Sequence, residues 1–225
     1  MQDLKKLQNK ITQCKRCPRL VSYLRDINKK YPTYWCKPVP SFGDHLAQIL
    51  IVGLAPGRFG SNRTARMFTG DASGKFLYDT LHQVGLCNQP DAEDINDGLR
   101  LKNCYITAVG RCAPPQNKPT PQELKNCFPY FVNELVLLKR VKIIVALGKI
   151  AFDSYLKWLL NSDVRGLSGI RKKDFKFSHG ALYNHDFMPH ILIASYHPSR
   201  QNTQTGKLTK KMFKNIFLKA KTYLV

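Results

Sequence analysis

The sequence predicts an α/β protein with a doubly wound sheet, and three observations predict it. Four short apolar runs, residues 48–53 (QILIVG), 104–109 (CYITAV), 142–147 (KIIVAL) and 190–195 (HILIAS), are continuous rather than alternating, as parallel strands covered on both faces are. Stretches of helical periodicity lie between them. No repeat, low-complexity tract or linker interrupts the 225 residues, which suffice for a single domain with a sizeable core.

In chain order, residues 3–13 form the first expected helix. Strand 48–53 runs into a glycine-rich loop. Ser73 then precedes Phe76, Leu77, Thr80 and Leu81, a helical face that Gly85 can end. After strand 104–109, Thr120-Pro121-Gln122-Glu123 is a capping box with proline at the first helical position. Helix 149–160 follows the third strand. Residues 171–183, with Ser178-His179-Gly180 near the middle, read as a hairpin before strand 190–195. The last helix, 209–223, carries Met212, Phe213, Ile216, Phe217 and Ala220 on one face and lysines on the other.

The net charge of +21 favours a polyanionic partner, most simply nucleic acid. A generally basic proteome is the bland alternative, but the charge is segregated. Asp91, Glu93, Asp94 and Asp97 share one short segment. From residue 187 to 225 there is no acid, while Arg200, Lys207, Lys210, Lys211, Lys214, Lys219 and Lys221 fall there. No apolar run is long enough to span a bilayer, and the N-terminus lacks the apolar core of a signal peptide, so a cytoplasmic location is expected, with no membrane partner. Seven cysteines in such a chain argue for metal ligation plus free thiols. Cys14 and Cys17 make a C-x2-C pair, and Cys112 and Cys127 a C-x14-C pair. The second is too open for a zinc knuckle, yet spacing alone leaves both a zinc ion and a [4Fe–4S] cluster open. Cys36, Cys87 and Cys104 remain as free buried thiols.

Ligands of doubly wound sheets bind beyond the carboxyl ends of the strands. That rule selects residues 54–71, 111–119, the surroundings of Gly148, and 196–206, where the unusual sequence also lies. The first loop has glycines that let backbone approach a ligand, Phe68 as a flat face for a base, and Asp71 as an isolated carboxylate. A salt bridge or a helix cap is the ordinary use of Asp71, and core packing that of Phe68. The loop lacks the G-x-x-x-x-G-K-[ST] pattern, which disfavours a nucleoside triphosphate. In the second loop, four prolines stiffen the backbone around Asn117, whose amide both donates and accepts. A turn asparagine is the bland alternative. In the last, His197 stands just past a buried strand and can donate to an oxygen that becomes negative. The other histidines have no comparable setting. A Schiff-base route would need a desolvated lysine, for which Lys118 is the candidate.

At these residues the chain resembles the iron–sulfur uracil-DNA glycosylases, in particular the type b, or family 5, branch. The matching pieces are Gly53-Leu-Ala-Pro, Asn62-Arg-Thr, Met67-Phe-Thr-Gly-Asp71, Arg111-Cys-Ala-Pro-Pro, Asn117-Lys-Pro-Thr-Pro, Tyr196-His-Pro-Ser, Gln201-Asn-Thr and Thr205-Gly, in order along nearly the whole chain. The resemblance implies a three-layer α/β/α sandwich with a central four-stranded parallel sheet. It implies removal of uracil, and of other deaminated bases such as hypoxanthine or xanthine, from double-stranded DNA by a monomer. Asp71, Asn117 and His197 would be catalytic. Gly53, Leu54, Ala55 and Phe68 would hold the base, and Arg63, Ser199, Arg200, Gln201 and Asn202 would contact DNA. Cys14, Cys17, Cys112 and Cys127 would bind a structural [4Fe–4S] cluster. Gly57-Arg58-Phe59 departs from the small residues and histidine usual in that branch and bears on substrate range.

Rival classes are a non-catalytic nucleic-acid-binding protein with a structural zinc, an iron–sulfur nuclease and an electron carrier. A nuclease would need clustered carboxylates for Mg²⁺, and acids are sparse in all four loops. An electron carrier explains neither the charge nor the loops.

Overall fold

The computed structural model describes residues 2–162 and 166–224. The four apolar runs become β2 (Ile49–Gly53), β3 (Cys104–Ala108), β4 (Ile143–Leu147) and β6 (Ile191–Ser195), all mutually parallel in the order β3-β2-β4-β6. Successive residues point to opposite faces of a strand. Ile49, Ile51, Ile106, Val145 and Ile193 therefore pack on one side of the sheet, and Leu50, Val52, Tyr105, Ile144 and Leu192 on the other. Helices α4 (Ala72–Gln83) and α8 (Lys210–Lys221) cover the first face; α5 (Pro121–Leu137) and α6 (Lys149–Leu160) cover the second. This is the expected three-layer sandwich.

The sheet has six strands rather than four. Two-residue strands β1 (Phe42–Gly43) and β5 (Leu182–Tyr183) add antiparallel edges to β3 and β6. Such short edges carry little apolar pattern and offer little template for another chain. The hairpin expected over 171–183 does not form. Lys172–Asp174 is a turn of 3-10 helix, and β5 pairs forward with β6. Helix α1 (Gln2–Thr12) matches expectation. Helix α2 (Pro18–Lys30) and the single turn α3 (Ser61–Thr64) are additional, although Pro18 and the buried Leu20, Leu24 and Ile27 carry the signal for α2. A five-residue helix α7 (Arg200–Gln204) follows β6.

Strand β2 comes first among the parallel four. The chain goes to its β3 side, then crosses to its β4 side. The reversal leaves a crevice at the carboxyl ends, where ligands bind in such sheets.

Candidate active site and cysteine corner

A cavity of about 600 Å³ opens at that crevice. Its walls come from the turns after β2, β3 and β6, and Asp71, Asn117 and His197 all face it. The surroundings of Gly148 stand behind, with a Cβ built on Gly148 coming 3.5 Å from that of His197.

Asp71 is the N-cap of α4: its Oδ1 accepts from Gly74 N at 2.9 Å. The helix-cap use is thus realised, and it leaves the second oxygen over. A Cβ added at Gly60 would lie 2.0 Å from Asp71 Oδ2, and one at Gly57 2.8 Å. These glycines were expected to bring backbone to a ligand. They make room for the protein's own carboxylate, and Gly53 does the same for the Phe68 ring, 2.9 Å from its would-be Cβ. Burial raises the Asp71 pKa above the ordinary carboxylate value; the Gly74 and Ser73 amides, then the charges of Arg63 and Arg200, oppose that rise.

Phe68 is buried, in a left-handed conformation (φ 53°) fixed by Ser61 Oγ, which accepts from Phe68 N at 2.9 Å. It belongs to the core and lines the cavity as well. Its ring forms an offset stack with His197, centroids 5.8 Å apart and planes 29° apart. Burial pushes the His197 pKa down to about 4, so its ring is neutral at physiological pH. Asn202 Nδ2 donates to the His197 carbonyl at 2.8 Å, which makes Asn202 a brace for this turn.

Asn117 ends the turn Pro115–Asn117, in which Gln116 (φ 55°) and Asn117 (φ 57°) are both left-handed. Among the described residues its side-chain amide has no hydrogen-bond partner, and it stays exposed. Gln116 beside it also lines the cavity. No composition signal marks Gln116; only the paired left-handed geometry does. Lys118 lines the cavity too, but it is exposed, contrary to the desolvation a Schiff-base lysine needs.

Of the other expected residues, Leu54, Ala55, Ser199, Arg200 and Gln201 line the cavity. Gly53 sits behind Phe68. Arg63 lies off the cavity, its Nε donating to Phe59 O at 3.0 Å and a terminal nitrogen to Gly70 O at 3.3 Å.

The four cysteines Cys14, Cys17, Cys112 and Cys127 come together around a second, much smaller cavity. Cys14 follows α1, Cys17 caps α2, Cys112 lies in the loop after β3, and Cys127 is on α5. Burial first, then Cys127, Cys14 and Cys17, push the Cys112 thiol far up. Among the described residues no three His, Cys, Asp or Glu side chains are placed to hold one metal ion. Cys36, expected to be buried, is half-exposed; Cys87 and Cys104 are buried.

Charged pairs frame this corner. Arg111 and Glu134 form an ion pair with side chains 1 % and 0 % exposed. Glu134 also accepts from Gln8 of α1 (2.7 Å), Ser41 (2.5 Å) and Thr107 of β3 (2.5 Å). Arg19 of α2 makes two 2.7 Å bonds to Glu123 of α5, which completes the Thr120 capping box.

The sequence matches the uracil DNA glycosylase superfamily over residues 40–221. It is 48 % identical over 216 residues to a type-5 uracil-DNA glycosylase of Thermus thermophilus, covering 94 % of each chain. A type-5 uracil-DNA glycosylase of Pyrobaculum aerophilum is 40 % identical over 94 % of this chain and 89 % of its own. A type-4 uracil-DNA glycosylase of Archaeoglobus fulgidus is 34 % identical over 67 % and 62 %.

Proposed function

The chain belongs to the uracil DNA glycosylase superfamily, and we propose that it removes uracil from double-stranded DNA by hydrolysing the N-glycosidic bond, opening base excision repair. The carrying observation is the convergence of Asp71, Asn117, Phe68 and His197 on one cavity, whose volume falls within the roughly 300–1,000 Å³ of small-molecule sites.

A base inside a duplex is out of reach, so the nucleotide must be rotated out, at a cost of a few kcal/mol that is smaller for a mismatched base. Arg200 at the cavity mouth and the basic tail offset that cost through phosphates. Phe68 offers its face to the base. Cleavage then leaves positive charge on the sugar and the bonding electron pair on the base. The Asp71 carboxylate opposes the first charge. Asn117, its amide uncommitted, orients a water that adds to the anomeric carbon, and Asp71 accepts the released proton. His197, neutral through burial, donates an N–H to the base oxygen on which negative charge collects. The same cavity has room for hypoxanthine and xanthine.

A [4Fe–4S] cluster suits the cysteine corner. Burial first, and the neighbouring thiols after it, raise the Cys112 and Cys127 thiols, a penalty that cationic iron reverses. The open C-x14-C spacing and the likeness to type-5 uracil-DNA glycosylases favour a cluster over zinc. When bound, it supplies a structural tie between the α1–α2 junction, the loop after β3 and α5. Thiols free of disulfides suit the reducing cytosol, and the enzyme acts as a monomer.

The test is incubation of the purified full chain with duplexes carrying uracil opposite guanine or adenine, hypoxanthine or xanthine, followed by alkali. Strand breakage at uracil is expected. Intact strands on both uracil duplexes would overturn the reading. Affinity should fall with salt at a log–log slope of about −0.9 per neutralised phosphate. Iron and sulfide analysis, with loss of the brown colour in Cys14→Ser, checks the cluster.

A further inference from the structure

We propose that Phe59, with Arg58, Tyr31 and Tyr34, forms a second platform for DNA, on which the base next to the extruded nucleotide stacks. The inference rests on the glycosylase reading and concerns a surface outside the catalytic cavity.

Phe59 is 52 % exposed. Single exposed apolar side chains are ordinary, so the setting decides. The Arg58 guanidinium stands 4.8 Å from the Phe59 ring centroid and 5.9 Å from that of Tyr31. Tyr31 meets Phe59 edge-on at 6.2 Å and stacks on Tyr34 at 4.8 Å. Lys30 lies 5.8 Å from the Tyr31 centroid. Three rings and two cations thus share one surface, and among the described residues no carboxylate pairs with either cation. Arg58 Nε is buried and has no hydrogen-bond partner there. Aromatic faces among basic side chains are how proteins hold unpaired bases without reading their sequence.

The position fits a neighbouring base. Gly57 and Ser61, two residues to either side of Phe59, line the catalytic cavity. Gly60 abuts the Asp71 carboxylate, and the Phe59 carbonyl is held by Arg63 Nε at 3.0 Å. The platform is therefore rigidly joined to the catalytic carboxylate. Rotating a nucleotide out strips its neighbour of one stacking partner, and that loss is part of the cost of extrusion. A ring presented at the cavity rim replaces it.

The test uses full-length protein with its metal centre and duplexes carrying 2′-fluorodeoxyuridine opposite guanine, whose fluorine withdraws electrons and blocks cleavage. The nucleotide on the 5′ or the 3′ side is either normal or a tetrahydrofuran abasic residue. Binding is read by fluorescence anisotropy for the wild type, Phe59→Ala and Phe59→Trp. On the normal probe, Phe59→Ala should weaken binding about tenfold and Phe59→Trp should hold it. On one of the abasic-flank probes the Phe59→Ala loss should vanish. An equal loss on all probes, or a loss under about twofold on the normal one, overturns the platform and leaves the patch to a protein partner. A parallel assay on ordinary deoxyuridine separates the two readings. Wild type that releases no uracil sinks the glycosylase reading; wild type that releases it while Phe59→Ala is indifferent to the flanking base sinks only the platform.

Discussion

The cavity at the strand ends and the cysteine corner share one loop and are built in opposite ways. Arg111 and Cys112 start the loop in the corner; Asn117 ends it in the cavity. In the corner the carboxylates are paired: Glu134 accepts from Arg111, Gln8, Ser41 and Thr107, and Glu123 from Arg19 and Thr120. In the cavity they are left open. Among the described residues the Asn117 amide and the His197 ring nitrogens have no hydrogen-bond partner, and Asp71 commits one oxygen to its helix. Interactions completed within the protein stabilise the fold, whereas interactions withheld are available to a transition state.

The largest expected effect attacks the paired side. Glu134→Ala strands the Arg111 guanidinium in the interior, and breaking a buried pair this way costs about 3–5 kcal/mol. Urea denaturation should show the loss. A change under about 1 kcal/mol would mean that the corner is not where stability is concentrated. Next comes the open side. Asp71→Asn keeps an oxygen for Gly74 N, and asparagine caps helices about as well as aspartate. Stability should move by less than about 1 kcal/mol, while turnover falls on the order of 10²–10³-fold, the scale of one lost preorganised group. Substrate affinity should change far less; equal losses in turnover and affinity would refute the catalytic role.

The third expectation uses pH. In the proposed mechanism Asp71 acts as the anion; its pKa is raised, so activity should disappear as pH falls through that raised value, above the ordinary carboxylate value near 3.9. The same mechanism uses His197 neutral, and burial holds its pKa down to about 4, so the profile should show no limb near 6.5 from this ring. The sign for stability follows. Between about 6.5 and 4 the unfolded chain binds a proton at His197 that the native protein refuses. Its contribution is complete above about 6.5 and declines as pH drops toward 4. Ring proton resonances of His197 that shift near pH 6.5 would contradict both statements.

Much of this was legible in the residues. Continuous apolar runs are a strong signal because a strand buried on both faces cannot alternate, and all four appeared within one residue of their place. The loops at strand ends followed from the topology rule, and the structure brings Asp71, Asn117 and His197 of those loops to one cavity; their proposed roles came from the family resemblance, because residue type alone left a helix cap and a turn asparagine open. Less could be read where long-range packing decides. Nothing near Gly60 says that it faces Asp71 Oδ2, because that contact joins two ends of one loop through its three-dimensional course. Glu134 looks like any helical glutamate until Arg111, 23 positions earlier, is brought against it. The edge strands are two residues long, below the length at which a pattern exists.

The smallest expected effect isolates burial as the cause. Arg19–Glu123 has more conventional geometry than Arg111–Glu134, with two 2.7 Å bonds, and it too ends on α5, joining it to α2 rather than to the loop after β3. Arg19 pulls the Glu123 carboxyl below its usual range. The Arg19 side chain is 45 % exposed, however, so water competes for it. When Arg19 is removed, Glu123 still accepts from Thr120 N at 2.8 Å through the capping box and is not stranded. Arg19→Ala should therefore cost about 1 kcal/mol or less, and less still in high salt, since exposed pairs are screened. Urea midpoints at low and high salt measure it. A loss as large as that of Glu134→Ala, or one indifferent to salt, would show that the number of bonds rather than exclusion of water sets the strength of the corner.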